Sequence, residues 1–178
     1  MSFIKTLRSV FLLSVTDRDI AANEIRVNNF KRILYITTLA LPINLFYIIN
    51  FGLEAGRGTA TEQYWRKGII ISHCCLFVVN AMLSATGFYL RRKKKQDSAA
   101  GGALIQAVFV LLPIWGAVTA SIDQLVTSSI VAFFLTSIVS AIALLVRPLL
   151  ALLYFAFTYL VFFIGLSITQ HNPVLLLT

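Results

Sequence analysis

Charge is what this sequence has least of. Only 12% of its 178 residues are Asp, Glu, Lys or Arg, against ~25% in a soluble domain. Acid is scarcer still: 7 Asp+Glu face 15 Lys+Arg, for a net charge of +8. The charge-free stretches are too long and too apolar to be the helices of a soluble core. With 58% hydrophobic residues, the chain fits one membrane domain and has no room for a separate soluble catalytic domain. Cysteine is nearly missing. Cys74 and Cys75 are neighbours inside an apolar run, so there is no disulfide framework and no Cys-x-x-Cys pair.

The signatures of known chemistry are missing too. There is no phosphate-cradling Gly-rich loop followed by Lys and Ser/Thr, no His-Glu-x-x-His and no Gly-x-Ser-x-Gly. No carboxylate pair lies inside an apolar run. Asp123 is at an end, and Glu54 and Glu62 fall between runs. A carboxylate-driven transporter needs such a group at mid-membrane, and no inverted repeat is evident. The chain is therefore not expected to be an enzyme, and no cofactor or metal is expected. Its basic residues gather at the ends of apolar runs. That is how membrane topology is written, and it argues against a nucleic-acid partner.

What is there is a series of apolar spans. Residues 1–15 place Phe3, Leu7 and Phe11 at helical spacing beside Lys5 and Arg8, an amphipathic helix suited to the headgroup plane. Its apolar stretch, Val10–Val15, is shorter than a cleaved secretory signal needs. Thr16-Asp-Arg-Asp19 then reads as a helix start. A polar helix is expected to run from there through residue 32 straight into the first span. Residues 1–32 thus form a cytoplasmic helical segment and residues 33–178 a transmembrane domain.

Spans are expected at 33–53, 68–90, 103–122, 125–146 and 148–168. The last two come from one run, Leu125–Ile168, which holds a single charge, Arg147. As one helix its length would be ~66 Å, twice the ~30 Å hydrocarbon core. It must turn, and Arg147-Pro148 is the place, since Pro suits the first turn of the returning helix. The fold class is all-α, an integral membrane bundle of five helices. The apolar ending Val174-Leu-Leu-Leu-Thr178 reads as the start of a sixth span.

Orientation follows from the cations. The N-terminal segment carries six, the second connection five (Arg91, Arg92, Lys93, Lys94 and Lys95) and the fourth one, Arg147. The first connection carries only three, Arg57, Arg66 and Lys67. The positive-inside rule then puts the N-terminus in the cytoplasm. Tyr64 and Trp65 suit the opposite interface as anchors.

Two kinds of helix face stand out. Small residues let helices approach in lipid. Ala132, Thr136 and Ser140 are spaced by four, with Ser129 in line; Gly116 and Ala120 offer a matching face, and span five carries Ala151, Thr158 and Gly165. These predict packing within the chain, with a homodimer contact as the alternative. Polar stripes occur at Thr37, Asn44 and Tyr47 on span one and at His73, Asn80 and Ser84 on span two. Polar groups facing lipid are costly, so both stripes should point inward. They serve interhelical hydrogen bonding or line a ligand cavity. Asn50, Asp123, Gln170 and His171 are expected near the same outer end. With His73 they are candidates for a pocket that titrates near neutrality.

The order of features resembles a known arrangement. The amphipathic start, the acidic patch Asp17–Asp19 and Glu24-Ile-Arg-Val-Asn-Asn-Phe-Lys-Arg32 before span one are similar to the N-terminal membrane domain of bacterial GGDEF proteins, the diguanylate cyclases. The shared lead-in is Asn-x-x-Arg, here Asn29-Phe-Lys-Arg32. The resemblance implies six spans, a bacterial cytoplasmic membrane, an unknown small-molecule or membrane signal and an output domain after the last span. No Gly-Gly-Asp-Glu-Phe loop exists in this stretch, so the expected role is sensory input and not cyclisation of GTP. The competing expectations are a small-solute transporter or channel component, and an assembly subunit of a membrane complex.

Overall fold

The computed structural model describes residues 15–146 and 148–169, with side chains from residue 20 onward. The amphipathic segment 1–14, Arg147, Gln170 and His171 lie outside the described residues. Every regular element among the described residues is a helix: α1 (Val15–Leu53), α2 (Ala60–Arg92), α3 (Ala99–Asp123), α4 (Val131–Ala143) and α5 (Pro148–Thr169). Four of them, α1, α2, α3 and α5, are long and apolar enough to cross a membrane. The helices alternate in direction, and α3 is the hub, packed against each of the other four.

The polar lead-in and the first span are one uninterrupted helix of 39 residues, about 58 Å long. That exceeds the ~30 Å hydrocarbon core, so its polar N-terminal half stands clear of the apolar layer. Pro42 sits inside it. Two glycines with positive φ, Gly56 and Gly58, turn the chain after α1. Thr59 and Glu62 then start α2 with a reciprocal capping box, which satisfies two backbone N–H groups that have no helical partner. At its other end α2 stops in a Schellman motif: the Lys95 N–H donates to the Leu90 carbonyl at 2.9 Å and the Lys94 N–H to that of Arg91 at 3.0 Å. Lys94 takes the left-handed position with φ 53°. Five cations gathered at this helix C-terminus complement its partial negative charge.

The segment expected as the fourth span departs from expectation. In place of a helix over 125–146, α4 has only 13 residues, about 20 Å, too short for the hydrocarbon core. The two ends have different causes. Before α4, Thr127 Oγ1 donates to the Asp123 carbonyl at 3.2 Å and accepts from the Ser129 N–H at 3.2 Å. Such hydroxyl bonds offer the backbone an alternative to the helical ladder. After α4, Leu144 is extended (φ −118°, ψ 124°), and the Asn29 side chain bonds the backbone of the next residue, Leu145.

The core lies in two patches. Phe30, Ile33, Leu34, Leu90, Leu104, Phe109 and Leu144 pack at the end where α2 finishes, called the basic end below. Ala117, Ala120, Phe133 and Phe162 pack nearer the opposite end. Outside them, Leu39, Val78, Leu135, Leu152 and Phe163 are all at least half exposed. An apolar surface this continuous far exceeds what a water-facing monomer carries. It fits a multi-pass membrane protein, with lipid as its solvent.

Candidate functional site

Helices α1 and α2 run antiparallel, so the polar stripes of the two meet in register. Near the basic end Ser84 Oγ donates to Thr37 Oγ1 at 2.8 Å, and Thr37 Oγ1 donates to the Ile33 carbonyl at 2.8 Å. Two helical turns further along, Asn44 faces His73. Asn44 Nδ2 donates to the Ala40 carbonyl at 2.6 Å, which leaves Oδ1 against His73 Nδ1 at 2.7 Å. An amide oxygen only accepts, so Nδ1 carries the proton. In the neutral ring Nε2 then keeps its lone pair, and it has no hydrogen-bond partner among the described residues. The ring is half buried.

Aromatic rings extend this pair. Tyr47 stacks on His73 at 4.5 Å between centroids with planes 4° apart. Phe51 stacks on Tyr47 at 6.2 Å, and Trp65 meets Phe51 edge-on at 5.3 Å. Trp65 Nε1 donates to Asp123 Oδ1 at 3.1 Å. One connected series thus runs from Asn44 through α2 to the end of α3. The arrangement holds an imidazole in one tautomer, with one open acceptor nitrogen. Chemically it can take a proton or a hydrogen bond from a ligand hydroxyl or amine.

The other residues singled out from the sequence fall elsewhere. Asn50 is exposed near the end of α1. Asn80 is buried and donates to its own helix at the Leu76 carbonyl, 3.0 Å away. Among the described residues no group of three or more His, Cys, Asp and Glu side chains converges as metal ligands. Of the small residues, Gly116 lies directly against Thr136 and the Ala132 carbonyl. Ala120 and Ser140 are fully buried. Ser129 is not on a helix; it sits in the turn before α4, and its carbonyl accepts from Gln124 Nε2 at 2.9 Å. Arg91 and Arg92 end α2, and Lys93, Lys94 and Lys95 form the turn beyond it.

A second constellation was not assigned a site role from the sequence. Asn29 is buried in α1 at the basic end. Its Oδ1 accepts from the Leu145 N–H at 2.9 Å, and its Nδ2 donates to the Leu145 carbonyl at 2.8 Å. Arg32 donates to the Ala143 carbonyl at 3.1 Å. One amide therefore satisfies both backbone groups of a residue held outside the helix. That is the condition under which buried irregular backbone is tolerated. The Asn-x-x-Arg spacing placed both side chains on one face of α1, but nothing in the sequence gave their partner, 116 residues away.

Removing the indole donor should expose how much the far end of the series contributes. Trp65→Phe keeps the ring packing but leaves the Asp123 carboxylate without this donor. We expect a loss of about 1–2 kcal/mol in unfolding free energy. The loss should shrink in an Asp123→Asn background, because the neutral amide is less costly to leave unpaired. A full-size loss in that background would show that the indole contributes packing alone.

No family model, curated protein or solved structure matches this chain.

Proposed function

We propose that the chain is a membrane-embedded sensory input module of a bacterial signalling protein, with the Asn44–His73–Tyr47 cluster as the part that responds. The observation that supports it is the single helix α1. It carries Asn44 at one level and the Asn29 amide that holds Leu145 at another. The two are 15 positions apart, about 22 Å along one continuous helix. A ligand hydroxyl or amine on His73 Nε2 would alter the α1–α2 contact. Helix α1 would carry a shift or tilt to the unwound end of α4. For a signal to act, it must bind two packings of these helices unequally.

In this reading the basic end faces the cytoplasm, by the positive-inside rule. The opposite end is electrically balanced, with Glu54, Glu62 and Asp123 against Arg57, Arg66 and Lys67. Arg66 pairs there with Glu54 at 3.7 Å. The short α4 and its flanking segments make a fourth crossing, and α5 a fifth. The output would lie beyond the last span, in a domain such as the diguanylate cyclase that the sequence pattern resembles.

A transporter also uses broken helices, whose unwound carbonyls coordinate ions. Here the Ala143, Leu145 and Ser129 carbonyls already accept from Arg32, Asn29 and Gln124. That occupancy favours signalling over transport.

The test is coupling. In the full chain in nanodiscs, Asn44→Ala or His73→Phe should raise amide hydrogen exchange at Leu144 and Leu145 several-fold. Unchanged exchange there, in variants that unfold at the usual temperature, would remove the coupling. Solute uptake into proteoliposomes that depends on His73 would replace signalling by transport.

A further inference from the structure

A cleft of about 840 Å³ opens between α1 and α2 toward the basic end, and none of its lining residues belongs to the His73 cluster. Two cations stand at its mouth, Lys31 from α1 and Arg91 from the last turn of α2. Below them it is lined by Tyr35, Leu39 and Pro42 of α1 and by Phe88 of α2. The spacing is informative. Lys31, Tyr35, Leu39 and Pro42 fall at i, i+4, i+8 and i+11, which is one stripe of a helix. From Lys31 to Pro42 that stripe descends about 16 Å, close to half of a ~30 Å hydrocarbon core. A charged mouth followed by one leaflet's depth of apolar wall is the shape of a single lipid.

Charge selects among lipids. Among the described residues the one ion pair is Arg66 with Glu54, at the opposite end. Among the described residues neither Lys31 nor Arg91 pairs with a carboxylate, and both are exposed. Both are free to meet an anion supplied from outside the chain. Tyr35 is 73% and Leu39 64% exposed, so the apolar wall is also open to an occupant from the lipid side. The close approach of the helices forms the floor: Gly87 admits the Leu34 side chain at a place where a Cβ would stand 2.5 Å from it.

We propose that this cleft binds one anionic phospholipid of the leaflet at the basic end. Its phosphate sits between Lys31 and Arg91, and an acyl chain lies along Tyr35, Leu39, Pro42 and Phe88. The site does not depend on the sensory reading, since it uses none of the residues of the His73 cluster.

The experiment is native mass spectrometry of the full chain, released from vesicles of phosphatidylglycerol mixed with phosphatidylcholine. The expected result is selective retention of phosphatidylglycerol. Lys31→Gln or Arg91→Gln should lower retention about fivefold each, and the pair about 30-fold. Lys31→Arg should retain the lipid, which separates lost charge from lost fold. Lys93→Gln with Lys95→Gln, which removes two cations outside the cleft, should change retention by less than about twofold. Equal loss from that control pair would overturn the proposal in favour of a diffuse attraction between the basic end and the membrane surface. Equal retention of the two lipids would overturn it as well. Displacement of the bound lipid by free glycerol phosphate as readily as by phosphatidylglycerol would overturn the acyl half, leaving a phosphate site.

Discussion

Asn29→Ala is expected to be the most damaging polar substitution in the bundle, lowering the unfolding free energy by about 2–4 kcal/mol. The amide bonds both the N–H and the carbonyl of Leu145, and alanine leaves both without a partner. Each orphaned backbone group costs about 1–3 kcal/mol. Interhelical bonds between side chains in membranes average only about 0.6 kcal/mol, because the separated helices find other partners. Leu145 has no such escape while it stays outside the helix. Its one alternative is to rejoin α4, which ends at Ala143; that would lengthen the helix by about half a turn and pull it from Arg32. Amide exchange at Leu144 and Leu145 distinguishes the routes: it rises if the groups are orphaned and falls if α4 grows. At a pH where the acid is neutral, Asn29→Asp keeps a carbonyl acceptor and a single hydroxyl donor in place of the amide, so it should lie between wild type and alanine. An Asn29→Ala variant with unchanged stability and unchanged exchange at Leu145 would show that the clamp contributes nothing.

Gly116→Ala should lower stability by about 1–3 kcal/mol, although alanine is the better helix former by about 1 kcal/mol. A Cβ at Gly116 would stand 2.8 Å from the Ala132 carbonyl oxygen and run into the Thr136 hydroxyl. A side chain can rotate away, but a backbone carbonyl cannot, so α3 and α4 must separate. The seam has little else to hold it. Ser137 and Ser140 bury hydroxyls with no hydrogen-bond partner, so close fit is the main attraction there, as is usual in lipid. Gly102 is the internal control. It lies in the same helix with nothing within 4 Å of its Cβ position. Gly102→Ala should be neutral or stabilising by up to about 1 kcal/mol. Thr136→Ala should rescue Gly116→Ala in part only, because the Ala132 carbonyl stays where it is. Thermal unfolding in detergent reads all four proteins. If the two glycine substitutions behaved alike, the α3–α4 contact would not depend on Gly116.

Much of the membrane architecture was legible because lipid leaves so few options. A backbone without water must be helical, and each crossing needs about 20 apolar residues. Those two facts place α1, α2, α3 and α5 from the charge-free runs. They failed at α4 because residues 125–146 are apolar enough for a span. What shortens the helix there is the hydroxyl bonding of Thr127 and Ser129 before it and a remote amide after it. Hydropathy registers neither.

The candidate site divides along the same line. Period 3.6 put Thr37, Asn44 and Tyr47 near one face of α1, and His73, Asn80 and Ser84 along α2. The sequence could not tell which would pair. Antiparallel packing brings Asn44 to His73 and Ser84 to Thr37, while Asn80 turns back to its own helix at Leu76. Asn50 was placed near the cluster by depth alone, but it lies on the exposed side of α1.

The sequence by itself determined that this chain is helical, multi-pass and strongly basic at one set of helix ends. These follow from local composition, since apolar length and charge position act on each segment separately. Only the tertiary structure decided that α4 is broken, that Asn29 holds its end, and that His73 presents a single open nitrogen. The last two depend on groups distant in the chain meeting within 3 Å, and no periodicity within one segment records where the next helix will stand.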